Sequence, residues 1–119
     1  MATTTTKTTT YNGVVFIVEN TGRIFDRNGR EKRQYQLGKY MYVKAYSRKK
    51  YLEGRMKGKK NPTALMLILV SRLVCHAFHP HPDMDKLQCD HIDNNTLNNT
   101  ASNLRWVTRK QNNSRKHAR

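Results

Sequence analysis

The longest uninterrupted apolar stretch of the chain runs from Ala64 to Val70, seven residues. A bilayer-spanning helix needs roughly 20 such residues, so this run belongs to a folded core and not to a membrane. Periodicity alone does not separate a buried strand from the start of a buried helix. The shortness of the run, with Ser71 directly after it, favours a strand followed by a helix capped at Ser71. Leu73, Val74, Ala77 and Phe78 then recur at spacings of three and four, one apolar helix face, and Pro80 and Pro82 close the element. With 119 residues and 36% hydrophobic content, one such centre suits a single modest core.

The rest of the composition is dominated by charge. Lys and Arg number 23 against 8 Asp and Glu, a formal net charge of +15. That excess opposes compaction by self-repulsion, and the natural compensation is a polyanion: nucleic acid or an anionic membrane surface. No amphipathic or apolar anchor accompanies the basic residues, which removes the membrane. The opening MATTTTKTTT lacks the apolar core of a secretory signal, so a cytoplasmic location with reduced Cys75 and Cys89 is expected.

Three regions are expected. Residues 1–12 read as a flexible Thr-rich tail, with an edge strand as the alternative once something is bound. Residues 13–60 read as a basic, β-rich DNA-binding region. Val14 to Val18 and Arg23 to Phe25 flank turn chemistry at Glu19-Asn20-Thr21-Gly22, which predicts a hairpin. Asp26 to Gly29 is a second turn, and Tyr40 to Tyr46 a further strand. Between Arg27 and Lys60 there are thirteen Lys and Arg against two acids, interleaved with Tyr35, Tyr40, Tyr42, Tyr46 and Tyr51. Such a pattern suits a sheet lying on double-stranded DNA, with cations on phosphates. The expected DNA contacts are Arg27, Arg30, Lys32, Arg33, Lys44, Arg48, Lys49 and Lys50, with Arg105 and Arg109 further on.

Residues 61–119 carry the chemistry. Lys86 to His91 reads as a short strand, 92–102 as a polar loop rich in Asn and Asp, and Asn103 to Val107 as a second strand. Thr108 and Gln111 form a T-x-x-Q capping box that starts a helix. If hairpin and helix pack together, Asp90, His91 and Asn112 converge. Asp and Asn supply hard oxygen ligands and leave most of an octahedral Mg²⁺ shell to water and phosphate. Imidazole suits proton removal from water. Together these are the needs of metal-assisted phosphodiester hydrolysis.

The run Asp90-His91-Ile92-Asp93, Asn95, Asn98-Asn99, Asn103-Leu104-Arg105-Trp106-Val107-Thr108 and Asn112-Asn113 resembles the HNH endonuclease family, in its Asn-rich, zinc-free branch typical of phage and intron homing endonucleases. The likeness covers about residues 71–113, with a weaker echo at Asn20-Thr21-Gly22-Arg23-Ile24. It implies an α+β fold, a small antiparallel sheet region followed by a ββα-metal finger. It implies His91 as general base, Asp90 and Asn112 as ligands of one divalent ion (Mg²⁺, with Mn²⁺ as substitute), and Asn103 as the brace that holds the loop and His91. Double-stranded DNA is the implied partner, and the chain a monomer or homodimer, in a bacterial host if phage-encoded. Ser71 and Asn94 depart from the family's usual His and Gly; if position 94 needs a positive φ, Asn is the next most tolerant residue.

Blander readings apply to several residues. Trp106 at a strand centre is expected in the core, and Asp93 as a loop cap. Cys75, His76, His79, His81 and Cys89 lack the paired spacing of zinc sites, which predicts buried thiols and surface histidines. The Asn cluster 94–99 is mostly loop solubilisation. A non-catalytic DNA-binding module that keeps the scaffold is the alternative to a nuclease. An RNA-binding basic protein would leave the Asn spacing unexplained.

Overall fold

A computed structural model describes residues 3–47 and 64–112. Arg48, Lys49, Lys50, Tyr51 and the rest of the basic stretch 48–63 lie outside the described residues, as does everything beyond 112.

Among the described residues, eight strands form three small antiparallel sheets around one helix. The first sheet holds β1 (Thr6–Tyr11), β2 (Val14–Glu19) and β3 (Ile24–Asp26), in that order. The second holds β4 (Tyr35–Leu37), β5 (Tyr40–Ser47) and β6 (Ala64–Leu69). Helix α1 (Val70–Phe78) leaves β6 directly. The third sheet pairs β7 (Gln88–His91) with β8 (Leu104–Val107). A helix then starts, described over 109–112. The β7–β8–helix unit is the expected ββα finger, and the α+β class holds.

Side-chain alternation explains how the sheets share one core. Phe16 and Val18 of β2, Val43 and Ala45 of β5, and Met66 and Ile68 of β6 all point inward. They meet Leu73, Val74 and Cys75 of α1 and Leu104 of β8 in one buried cluster. Leu65 and Leu67, although in the apolar run, face outward beside Tyr46 and Lys44 of β5. The run is therefore a half-buried strand, not a strand covered on both faces.

Two expectations are corrected. Thr6–Tyr11 is not a loose tail: it pairs with β2 along its length, from Thr6 opposite Glu19 to Tyr11 opposite Val14. The cause is the Asn12-Gly13 turn, with φ of 48° and 82°, the left-handed pair that closes a two-residue hairpin. The Thr9 side chain adds a tertiary tie, its Oγ1 2.8 Å from Nδ1 of His76. Ser71 does not cap α1. The helix begins one residue earlier, with Leu69 in extended conformation at the N-cap and no side-chain cap. Ser71 is buried, and its carbonyl accepts the Cys89 thiol at 3.4 Å.

The histidines are also more integrated than expected. His76 and His79 are half-buried, and the His79 Nε2–H donates to the Ala101 carbonyl at 2.8 Å. Trp106 packs against the core, with its indole N–H on the His79 carbonyl and the Arg72 guanidinium 5.4 Å from its ring. Cys75 is buried and Cys89 half-buried, both free. A hydrogen bond with Cys89, then burial, pushes the Cys75 thiol well above the ordinary cysteine range.

Candidate active site

The finger is held open by its own polar loop. Strand β7 ends at His91, and β8 returns opposite it, with His91 facing Leu104 and Asp90 facing Arg105. Asn103 stitches the loop between them. Its carbonyl accepts the Ile92 N–H at 2.8 Å and its Oδ1 the Asp93 N–H at 3.1 Å. Its Nδ2 donates to Asp93 Oδ1 and to the Asn98 carbonyl, both at 2.9 Å. The Asp93 carboxylate also receives the Asn98 amide and the Asn95 N–H. These donors, the Asn98 amide foremost, hold its carboxyl below the usual aspartate range. Asn94 adopts a φ of 66°, the left-handed turn that an Asn tolerates.

Asp90 and His91 are almost fully enclosed, at 5% and 6% exposure, because the β7 end tucks behind this loop. The His91 Nε2–H donates to Asn99 Oδ1 at 2.9 Å. That bond fixes the tautomer and leaves Nδ1 as the proton-accepting nitrogen. Asn99 is 7% exposed, so this one member of the Asn cluster is an internal support and not a solubilising group. Composition hid it: its neighbours are exposed loop asparagines of the same type.

The C-terminal helix brings in the third group. Thr108 Oγ1 accepts the Gln111 N–H at 3.1 Å and Gln111 Oε1 accepts the Thr108 N–H at 2.9 Å, the reciprocal capping box read from the sequence. One residue on, Asn112 Nδ2 donates to Gln88 Oε1 at 2.6 Å, which leaves its carbonyl oxygen as the group able to meet a cation. Asn112, Asp90 and His91 line one cavity of about 540 Å³. Asp90 and Asn112 also border an adjoining cleft of about 310 Å³, beside Arg105 and Gln111. Among the described residues no three of His, Cys, Asp and Glu converge as a metal cluster. The donor set here is one carboxylate and one amide, oxygen ligands that fit a largely hydrated hard cation.

Other expected contacts are distributed differently. Arg105 turns to Asp90, with Nε 3.0 Å from Oδ2, so it belongs to the adjoining cleft. Arg27, Arg30, Arg33, Lys44 and Arg109 are exposed, and Lys32 half-exposed. Lys44 and Arg33 lie over the Tyr35 ring at 4.4 and 5.4 Å. The lining residues not singled out for this site from the sequence include Lys39 and Tyr40, from the β4–β5 hairpin.

A second hairpin supports the centre from behind. The N–H of Ala101 donates to the Asn20 carbonyl at 2.8 Å, docking the β2–β3 turn on the finger loop. Gly22 in that turn has a φ of 101°, and a Cβ there would sit 3.0 Å from the Asn99 carbonyl oxygen. Gly22→Ala is therefore expected to lower the thermal midpoint by about 4 °C or more. A circular-dichroism melt of the purified variant checks this; an unchanged midpoint would mean the turn and Asn99 separate without cost.

Two comparisons with known proteins give a match. The family model for HNH endonuclease matches residues 69–114, a segment that holds the finger and α1. A solved structure of the HNH homing endonuclease I-HmuI, describing its DNA binding and cleavage, is similar with a TM-score of 0.62 and 27% identity. The likeness covers 87% of this chain, which spans about half (52%) of that one. Comparison with curated proteins gives no match. Over residues 69–114 the chain is thus similar to the HNH endonuclease family, as its motif suggested.

Proposed function

We propose that the chain is a metal-dependent endonuclease that hydrolyses phosphodiester bonds of double-stranded DNA. The observation that carries this reading is the convergence of Asp90, His91 and Asn112 on one cavity in an HNH fold. The likeness to I-HmuI favours the homing type.

In this reading, His91 Nδ1 removes a proton from water, while Asn99 on Nε2 keeps the ring from turning. The water oxygen bonds to phosphorus and the bond from phosphorus to the 3′ oxygen breaks. The strand then ends in a 5′-phosphate and a 3′-hydroxyl, whose proton comes from solvent. Asp90 and Asn112 hold one divalent ion, Mg²⁺ foremost. When bound, such an ion supplies positive charge for the scissile phosphate and the departing oxygen. Asn103 acts through the loop, keeping Ile92 and Asp93 fixed so that His91 keeps its place. The exposed Arg27, Arg30, Arg33, Lys44 and Arg109 supply phosphate contacts. One centre cuts one strand at a time, so a single chain nicks.

Incubation with supercoiled plasmid tests the reading. Nicked circles are expected with Mg²⁺ or Mn²⁺ and none with a chelator. Retarded plasmid that stays supercoiled in every metal would instead identify a DNA-binding module without catalysis.

A further inference from the structure

We propose that Lys39, at the tip of the β4–β5 hairpin, contacts the phosphate being cleaved and completes the centre from the opposite wall. The proposal rests on the nuclease reading above and adds a group to it from outside the HNH segment. Lys39 and Tyr40 line the same cavity as Asp90, His91 and Asn112. The Tyr40 ring centre stands 6.4 Å from that of His91, so the hairpin tip reaches the general base itself.

The tip is fixed in two ways. Leu37 pairs with Tyr40, so Gly38 and Lys39 form a two-residue turn, and Gly38 takes the φ of 62° that its first position demands. The Thr96 hydroxyl, in the loop after His91, donates to the Lys39 carbonyl. Hairpin and catalytic loop are thus tied backbone to side chain, and the Lys39 Cα keeps its distance from the cavity.

Charge gives the position its meaning. The cavity contains the enclosed Asp90 carboxylate, which repels an arriving phosphodiester, and Lys39 is the cation among its lining residues. Three other described cations already have partners. Arg105 pairs with Asp90 on the adjoining cleft, Arg72 binds the Met84 and Leu87 carbonyls, and Lys44 lies over Tyr35. An ammonium on a flexible stem suits a phosphate oxygen as a point charge, and its effect is largest when charge builds up during cleavage.

The test compares Lys39→Ala, Lys39→Arg and, as a control, Lys86→Ala, an exposed lysine outside the cavity lining, with the wild type in single-turnover nicking at saturating protein and Mg²⁺. Affinity for a duplex is measured alongside by fluorescence anisotropy in chelator. Lys39 is exposed at a turn, so the variants are expected to fold, which a thermal melt checks. Lys39→Ala is expected to slow the cleavage step about 10²-fold with affinity little changed. Lys39→Arg should restore part of the rate. Lys86→Ala should leave the saturated rate alone. A Lys39→Ala rate equal to that of a cleaving wild type would overturn the role of Lys39 and spare the nuclease reading. A wild type that binds and never nicks would remove both.

Discussion

Cleavage by the His91→Ala variant is expected to fall about 10²- to 10⁴-fold while DNA binding persists. The two readouts separate because of where the side chain sits. His91 is 6% exposed, with Nε2 committed to Asn99, so its ring is turned inward and not towards a distant phosphate. Its removal leaves the β7–β8 ladder and the Asn103 stitches in place, since these run through backbone groups and Asp93. The basic residues after β3, on β5 and on the C-terminal helix are untouched. The check is single-turnover nicking beside anisotropy at one salt concentration. Full activity in this variant, with metal present, would take the general-base role away from His91.

Asp90→Ala has the second large effect, with opposite signs in two measurements. Loss of the carboxylate should reduce nicking by about 10²-fold or more at every Mg²⁺ concentration, because Asn112 alone is a weak neutral ligand. Binding should strengthen. The substitution removes a negative charge and releases the Arg105 guanidinium, now held at 3.0 Å, to a phosphate. One added phosphate contact steepens the salt dependence of affinity by about one unit in the log–log slope. Titrating both NaCl and Mg²⁺ checks the pair of effects. A Mg²⁺ dependence identical to that of the wild type would take the ligand role from Asp90, and a slope that stays put would mean the released Arg105 gains no phosphate.

Much of the finger was legible because its determinants are local. The T-x-x-Q box announces the helix start, and two short strand-like segments around a polar loop announce the hairpin. Asn103 as a loop brace was an expectation from its place in the family motif, and the residue makes five hydrogen bonds within 91–103. The Val14 strand, its turn and Ile24 were likewise readable from turn chemistry.

The misses have physical reasons of two kinds. Strand β1 was legible in principle: Asn12-Gly13 between Tyr11 and Val14 is a hairpin turn signal, and threonine favours strands. Low complexity in the first ten residues drew the reading towards a tail. The short β4 and its Gly38-Lys39 turn went unread for a similar reason, being outweighed by the basic composition around them. The second kind is tertiary and leaves no local trace. Nothing near Asn99 distinguishes it from Asn94, Asn95 or Asn98, and only the packed loop turns it onto His91. The Arg105–Asp90 pair depends on a cross-strand register, and Lys39 reaches the cavity from a different sheet.

A Mn²⁺ titration read by paramagnetic resonance and by plasmid nicking in the same samples tests the central claim most directly. The account predicts one ion bound per chain, nicking that rises in step with its uptake, and loss of both in Asp90→Ala. Nicking that proceeds before any ion is bound, or undiminished uptake by Asp90→Ala, would contradict it.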